Sequence, residues 1–252
     1  MRTLKLTLAY DGTAFHGWQI QLNRRTVQQT LTDVLCKITG EMIVVHASGR
    51  TDAGVHALGQ VASFDTNSRL DANTFCRALS AELPDDIIAI VVEEAPPGFH
   101  ARRHAKRKRY RYVIHDGPRG DVFRRRYVWR VYRRLDDAAM LRAAQPLIGR
   151  HDFAAFESRG SKRSSSVRTI FELMIDRPSV AAGNELHIEV EADGFLYNMV
   201  RNIVGILVEV GRGAGDEAWP ARALAAADRR TAGPPAPARG LTLVSVDYGP
   251  PE

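Results

Sequence analysis

Cysteine is scarce in this 252-residue chain, with only Cys36 and Cys76 present. Two cysteines cannot form a disulfide framework, and they lack the paired spacing of a zinc site, so a reducing, cytoplasmic setting is expected. Long apolar runs are missing as well. No stretch approaches the roughly 20 residues that a membrane-spanning helix needs, which leaves no membrane partner in view. The opening Met1-Arg2-Thr3-Leu4-Lys5-Leu6 alternates polar and apolar residues like a strand and has none of the apolar block of an export signal. A Gly-x-x-x-x-Gly-Lys-Ser/Thr sequence is absent, so a P-loop is unsupported. Gly211-Arg212-Gly213-Ala214-Gly215 follows a helical pattern where a dinucleotide-binding fingerprint would precede one, and it reads as a helix terminus. His100 and His104 stand one helical turn apart, but Pro-Gly precedes them and a third ligand is missing, so no metal is expected.

What is present is an ordinary globular composition, 44% hydrophobic and 25% charged, on a chain long enough for one compact body or two fused halves. The net charge of +6 is unevenly spread. From Arg102 to Arg134 there are 14 Lys and Arg against two Asp and no Glu, an imbalance that suits a polyanionic partner. Tyr110, Tyr112, Phe123, Tyr127, Trp129 and Tyr132 are interleaved with these arginines, as base-stacking surfaces would be. The same spacing also fits alternate core positions of strands.

Periodicity divides the chain into two similar halves. Leu4 to Tyr10 alternates as a strand, and Asp11-Gly12 supplies a turn. Thr26 and Gln29 form a capping box before a helix whose Val27, Leu31, Val34, Leu35 and Ile38 share a face, with Gly40 just past its end. Met42 to His46 and Gln60 to Phe64 read as strands joined by a loop from Ala47 to Gly59. Asp71 caps a second helix through Phe75, Cys76 and Leu79, and Ile87 to Val92 is a last strand. The order then repeats with longer connections: strand Arg109 to His115, helix Asp136 to Ile148, strands Val167 to Ile175 and Glu185 to Glu191, a helix from about Leu196 to Val210, and strand Leu241 to Val246. The fold expected is therefore α+β, two ferredoxin-like β-α-β-β-α-β halves spanning 1–105 and 106–252, with a cleft between their sheets as the natural site. Ser158 to Ser166 and Gly233-Pro234-Pro235-Ala236-Pro237 read as flexible.

One short segment concentrates reactive residue types. Gly49 to Gly59 packs an arginine, an aspartate, a histidine and three glycines into a link between strands, where glycine lets the backbone turn tightly and approach a ligand. Asp52 is its only carboxylate, and Arg50, two residues earlier, can project alongside. On composition alone Asp52 fits either a catalytic acid-base group or an Asx-turn.

The run Gly49-Arg50-Thr51-Asp52-Ala53-Gly54-Val55-His56-Ala57-Leu58-Gly59-Gln60-Val61 resembles the signature of the TruA family of tRNA pseudouridine synthases. Further blocks carry the resemblance along nearly the whole chain: Tyr10-Asp11-Gly12-Thr13, Gly17-Trp18-Gln19, Phe99-His100-Ala101-Arg102, Arg109-Tyr110-Arg111-Tyr112, Met199-Val200-Arg201-Asn202-Ile203-Val204-Gly205 and Gly240-Leu241-Thr242-Leu243. The resemblance implies isomerisation of uridine to pseudouridine at nucleotides 38 to 40 of the tRNA anticodon stem-loop, without metal or cofactor. It also implies a homodimer and, within each chain, two RRM-like halves with a central basic cleft, the pseudouridine synthase fold.

That chemistry needs few groups. The bond from ribose to uracil N1 breaks and a bond to C5 forms, so a positioned carboxylate suffices. Asp52 could attack C1′, add to C6 or abstract a ribose proton. In each route it must be ionised, which a nearby arginine favours. By the resemblance that arginine is Arg201, which shares a helical stripe with Tyr197 and Gly205. In the strand Arg109-Tyr110-Arg111-Tyr112 the two tyrosines point to one side, and Tyr110 is expected to stack on the uracil, with Tyr112 a core residue and Leu243 an apolar wall. A stacked uridine must be turned out of its stem, and Arg50 is implied as the residue that fills the gap. Arg24, Arg25, Arg102, Arg103, Lys106, Arg107, Lys108 and Arg109 are expected to grip phosphates without reading sequence. The rivals are a related synthase acting on other RNA sites and a non-catalytic RNA-binding protein or chaperone of the same fold. The roles of Arg124-Arg125-Arg126 and Ser164-Ser165-Ser166 stay open.

Overall fold

Alternating sequence becomes strand where the pattern is cleanest. In the computed structural model, which describes residues 1–158, 160, 165–178 and 184–249, β1 (Arg2–Tyr10) buries Leu4, Leu6, Leu8 and Tyr10 on one face. β3 (His56–Thr66) runs antiparallel beside it, with Leu4 opposite Phe64, Leu6 opposite Ala62 and Leu8 opposite Gln60. Paired residues share a face, so Phe64 joins the apolar layer while Gln60 is a polar side chain forced into it. β4 (Ile87–Ala95) pairs antiparallel with the other edge of β1. Two helices supply the covering layer: α1 (Val27–Thr39) buries Val27, Leu31 and Leu35, and α2 (Ala72–Glu82) buries Phe75 and Leu79, with Phe75 5.9 Å from Phe64.

The ends of these helices follow the local signals, with one exception. Thr26 accepts from the Gln29 amide, Gly40 closes α1 in the left-handed conformation at φ 70°, and Asp71 accepts from the Thr74 amide. The reciprocal half of the expected capping box is replaced, because the Gln29 side chain donates to Asp33 at 2.7 Å. That (i, i+4) bond on the same helix face orients the Gln29 side chain toward Asp33 instead of toward the Thr26 backbone N–H, from which its oxygen would accept.

Two strand boundaries differ from the expectation. Met42 to Val45 is not strand; only β2 (His46–Ala47) pairs with β3. In contrast, β3 begins at His56 instead of Gln60: Ala57 lies opposite Tyr10 of β1, and β10 (Leu241–Asp247) runs parallel on the other side with Thr242 opposite His56 and Leu243 opposite Ala57. A partner strand nearly two hundred residues away thus helps to hold the last four residues of the glycine-rich segment, His56 to Gly59, in regular structure. Gly59 makes that approach possible, since a Cβ there would lie 2.5 Å from the Val244 carbonyl oxygen.

The chain forms two compact units, Met1–Lys106 with Thr242–Glu252, and Arg107–Leu241. In the first the strand order is β4-β1-β3-β10, with β2 beside β3. In the second, β5 (Arg107–His115), β9 (Glu185–Ala192), β8 (Val167–Asp176) and β7 (Gly149–Asp152) lie side by side in that order, with β6 (Trp129–Arg130) parallel to β5. Its helices are α3 (Asp137–Ala144), α4 (Met199–Gly211) and α5 (Trp219–Ala226). α4 is apolar nearly all round and almost wholly buried, as a central packing helix must be. Each unit contains both parallel and antiparallel strand pairs, so the class is mixed α+β.

Among the described residues no helix is long and apolar enough to cross a membrane. The Gly211–Gly215 run ends α4, with Gly213 at φ 74°. Of the stretch expected to be flexible at Ser158 to Ser166, residues 159 and 161–164 lie outside the described residues, Ser164 among them. The other stretch expected to be flexible, Gly233 to Pro237, is instead pinned. Ala236 is fully buried, its amide donates to the Arg201 carbonyl at 2.9 Å, and the Pro237 carbonyl accepts from Tyr112 at 2.7 Å. Proline content limits the unfolded chain's freedom, and hydrogen bonds to the Arg201 backbone of α4 and the Tyr112 side chain of β5 fix the rest.

Candidate active site

The Asp52 loop takes its shape from backbone hydrogen bonds. The Val55 amide donates to the Asp52 carbonyl at 3.1 Å, closing a four-residue turn whose third position, Gly54, has φ 76°. A type II turn requires that sign of φ, which glycine adopts without a Cβ clash. From outside, the Trp18 amide donates to the Thr51 carbonyl at 3.0 Å and the Gly54 amide to the Phe15 carbonyl at 3.3 Å. Two more glycines let that neighbouring segment come close. A Cβ on Gly17 would stand 2.7 Å from the Thr51 carbonyl oxygen, and one on Gly12 would overlap the Val55 carbonyl.

Beneath the loop lies a buried polar chain built on the register of β1 and β3. The Tyr10 hydroxyl is 2.7 Å from Thr51 Oγ1. Gln60 Nε2 donates to the Gly49 carbonyl at 3.0 Å and to the Tyr10 hydroxyl at 3.3 Å, and Ser48 donates to Gln60 Oε1 at 2.7 Å. Burial pushes the Tyr10 phenol up to about 12, against the opposing effect of its bonds to Thr51 and Gln60. Tyr10 therefore keeps its proton, and with Gln60 donating to its oxygen that proton serves Thr51. Each buried polar atom named here has a partner, which makes the loop's floor rigid. Above it Asp52 is half-buried and Arg50 is exposed. Leu243, fully buried on β10, stands opposite Ala57 of the same segment.

In the second unit, Tyr110 and Tyr112 do share one face of β5. Both are buried, Tyr110 at 8% exposure and Tyr112 at 0%. Tyr110 meets Phe195 edge-on at 5.1 Å. Tyr112 is a core tyrosine with its hydroxyl on Pro237. Burial drives its phenol well above the usual range, although the charges of Arg201 and Arg239 oppose that shift. Arg201 is half-buried on α4; its Nε donates to the Ala236 carbonyl at 2.7 Å and its Nη1 to Asn198 Oδ1 at 2.7 Å.

The arginines and lysines expected to grip phosphates fall into two groups. Arg24, Arg102, Arg103 and Lys106 are exposed. Arg25 already forms a two-point pair with Asp86, at 2.6 and 2.8 Å. On β5, Arg107 pairs with Glu191, while Arg109 reaches Glu172, Glu189 and Glu191 at 2.6 to 3.2 Å. Burial works against the Arg109 charge, but the three carboxylates together raise its pKa. Cross-strand neighbours on β9 and β8 supply these acids, which the sequence does not place beside β5. Arg124, whose role was open, pairs with buried Glu185. Of the interleaved aromatics, Phe123, Tyr127 and Tyr132 are exposed, while Trp129 packs edge-on against Tyr112 at 6.2 Å.

Sequence reasoning missed Thr51, Gln60 and Ser48 as the floor of the loop, and Asn198, Phe195 and Ala236 in the second unit. Gln60 carried a signal, a polar residue at a core position of an alternating strand. Asn198 and Ala236 carried none, since their roles depend on contacts made by the folded chain.

A family model described as tRNA pseudouridine synthase matches residues 7–102 and 143–249. The tRNA pseudouridine synthase A of Moorella thermoacetica is 50% identical over 252 residues, covering 98% of this chain and all of the relative. That of Brevibacillus brevis is 46% identical over 248 residues, with 98% and 100% covered. Among solved structures, a chain of a Cbf5-Nop10-Gar1 complex is similar at a TM-score of 0.34 and 13% identity, covering 83% of this chain and 54% of that one, a likeness too weak to carry a conclusion.

Proposed function

This chain belongs to the tRNA pseudouridine synthase family and isomerises uridine to pseudouridine in tRNA, and on that premise we propose that Asp52 is the carboxylate that starts the reaction, at nucleotides 38 to 40 of the anticodon arm. The reaction is balanced within the nucleotide: the C1′–N1 bond breaks, a C1′–C5 bond forms, a proton leaves C5 and N1 gains one. No cofactor has to supply atoms or electrons. The observation that carries the assignment is the rigid loop, which holds one half-buried carboxylate over a saturated polar floor. A fixed nucleophile or base lowers the barrier by orientation, which a mobile surface aspartate could not do.

Arg201 acts on the same uridine by favouring the ionised carboxylate, and Tyr110 takes the uracil face, with Leu243 as an apolar wall. Support for Arg201 is its fixed guanidinium; support for Tyr110 is a nearly buried aromatic ring on β5, braced edge-on by Phe195. Exposed Arg50 fills the space left when the base turns out. Arg24, Arg25, Arg102, Arg103, Lys106, Arg107, Lys108 and Arg109 hold phosphates, with Arg25, Arg107 and Arg109 doing so by exchanging the carboxylates they pair with in the free protein. Each unit is a ferredoxin-like half, and the protein acts as a cytoplasmic homodimer. Support for the first half comes from its β4-β1-β3 order with helices between successive strands.

Unmodified tRNA transcripts incubated with wild type and with Asp52→Ala test this reading. Pseudouridine mapped to the anticodon arm with wild type alone is the expected result, with tRNA binding retained by the variant. Product at other positions would sink the substrate assignment, and full activity in Asp52→Ala would sink the catalytic one.

A further inference from the structure

The second unit holds Arg201 by a device that the reaction itself does not explain. Asn198 precedes α4 as its N-cap residue at φ 60° and ψ 10°, the left-handed region. Asparagine tolerates that region better than most side chains, and it is also among the best residues for capping a helix through its own oxygen. Asn198 makes no such side-chain cap. Its Oδ1 accepts from Arg201 Nη1 at 2.7 Å instead, although a capping oxygen would ordinarily serve the backbone amide at that same position. The cap is forgone in favour of the guanidinium.

A second oxygen arrives from far along the chain. Arg201 Nε donates to the Ala236 carbonyl at 2.7 Å, and the Ala236 amide donates back to the Arg201 carbonyl at 2.9 Å. The segment bearing Ala236 is anchored on both sides of it. Arg229 donates to the Gly233 carbonyl at 2.7 Å and also to Asn202 Oδ1 at 2.8 Å, and Tyr112 donates to the Pro237 carbonyl. One turn beyond Arg201, any Cβ on Gly205 would overlap the Pro234 carbonyl, so only glycine lets the segment lie this close to α4.

We propose that Asn198 is a positioning residue for the isomerisation: its side-chain oxygen, together with the Ala236 carbonyl, holds the Arg201 guanidinium in one orientation. The inference rests on the reading of Arg201 above. An arginine side chain has many rotamers to lose, and here two of its three nitrogens are committed before substrate arrives. The orientation is therefore set in the free protein and costs nothing at the transition state. Tyr112 and Gly205 act one step further out, through the segment.

Single-turnover conversion of tRNA tests this with Asn198→Gly, which keeps the left-handed backbone and removes the oxygen. The rate constant should fall about tenfold, with tRNA affinity and thermal midpoint nearly unchanged. Asn198→Asp, which retains an accepting oxygen, should recover most of that loss. In an Arg201→Lys background, itself expected to be about a hundredfold slower, Asn198→Gly should cost nothing further, because the group it orients is gone. A full tenfold loss in that background would overturn the proposal, as would a wild-type rate in Asn198→Gly. If Asn198→Gly proves unstable, an Asn198→Asp rate no better than that of Arg201→Lys overturns it as well. A wild-type rate in Arg201→Lys alone refutes instead the role given to Arg201.

Discussion

Asp52 and Arg201 are mounted in different ways in their two units. Around Asp52 the scaffold is mostly backbone: a turn closed by Val55, a left-handed Gly54, amides of Trp18 and Gly54 reaching across, and a floor of Tyr10, Thr51, Gln60 and Ser48. Around Arg201 the scaffold is made of side-chain contacts to residues near and far, Asn198 three positions away and Ala236 thirty-five. A short carboxylate has little freedom once its backbone is placed, whereas a guanidinium on three methylenes must be held at its own nitrogens. Both mounts depend on a glycine where a methyl group would strike a carbonyl, Gly12 against Val55 and Gly205 against Pro234.

The largest effects should come from those two glycines. Gly12→Ala displaces the end of the Asp52 loop and Gly205→Ala displaces the segment carrying Ala236. Each should cost about 1–3 kcal/mol of stability and, through misplacement on the order of 1 Å, about a hundredfold in rate. Urea unfolding and single-turnover assays read the two losses. A variant that keeps its rate while losing stability would show that its glycine serves packing alone.

The two groups of cations separate next. Arg109→Ala leaves Glu172, Glu189 and Glu191 facing one another without their shared cation, and about 1–3 kcal/mol of stability should go with it, while the salt dependence of tRNA binding stays as it was, because trading carboxylates for phosphate neutralises no further charge. Arg102→Ala and Arg103→Ala should leave stability alone and each lower the salt slope by about one. A changed slope in Arg109→Ala, or an unchanged one in both exposed variants, would reverse the assignment.

The smallest effect concerns the floor of the loop at high pH. The Tyr10 phenol is raised from 10.0 to about 12 in the folded protein, so the unfolded chain releases that proton first. Its contribution to stability is whole below pH 10 and is lost as pH climbs toward 12, at about 1.4 kcal/mol per pH unit. Burial raises Tyr112 and Tyr248 in the same direction, so Tyr10→Phe should flatten the alkaline decline without abolishing it. Equal slopes in urea titrations of wild type and variant would contradict this.

Legibility in the sequence followed the same division. The loop's motif, the helix caps at Thr26, Asp71 and Gly40, and the face shared by Tyr110 and Tyr112 are local features, and they were readable because neighbours in the chain decide them. The early start of β3 was not, since it is paired there both by Tyr10 of β1 and by β10 from the far end of the chain. The partners of Arg109 were hidden for the same reason: the glutamates that occupy it come from β8 and β9. Gly233 to Pro237 read as loose because proline and glycine mark turns, and nothing nearby announces that α4 and β5 hold the segment down.

The claim beneath all of this is that the two mounts serve a single uridine. Single-turnover rates for Asp52→Glu, Arg201→Lys and the double variant test it directly. If the carboxylate and the guanidinium act as one unit, the double variant is no slower than the slower single one, within about threefold. A double variant slowed by the product of the two separate losses would mean that they act independently, and the account would fail.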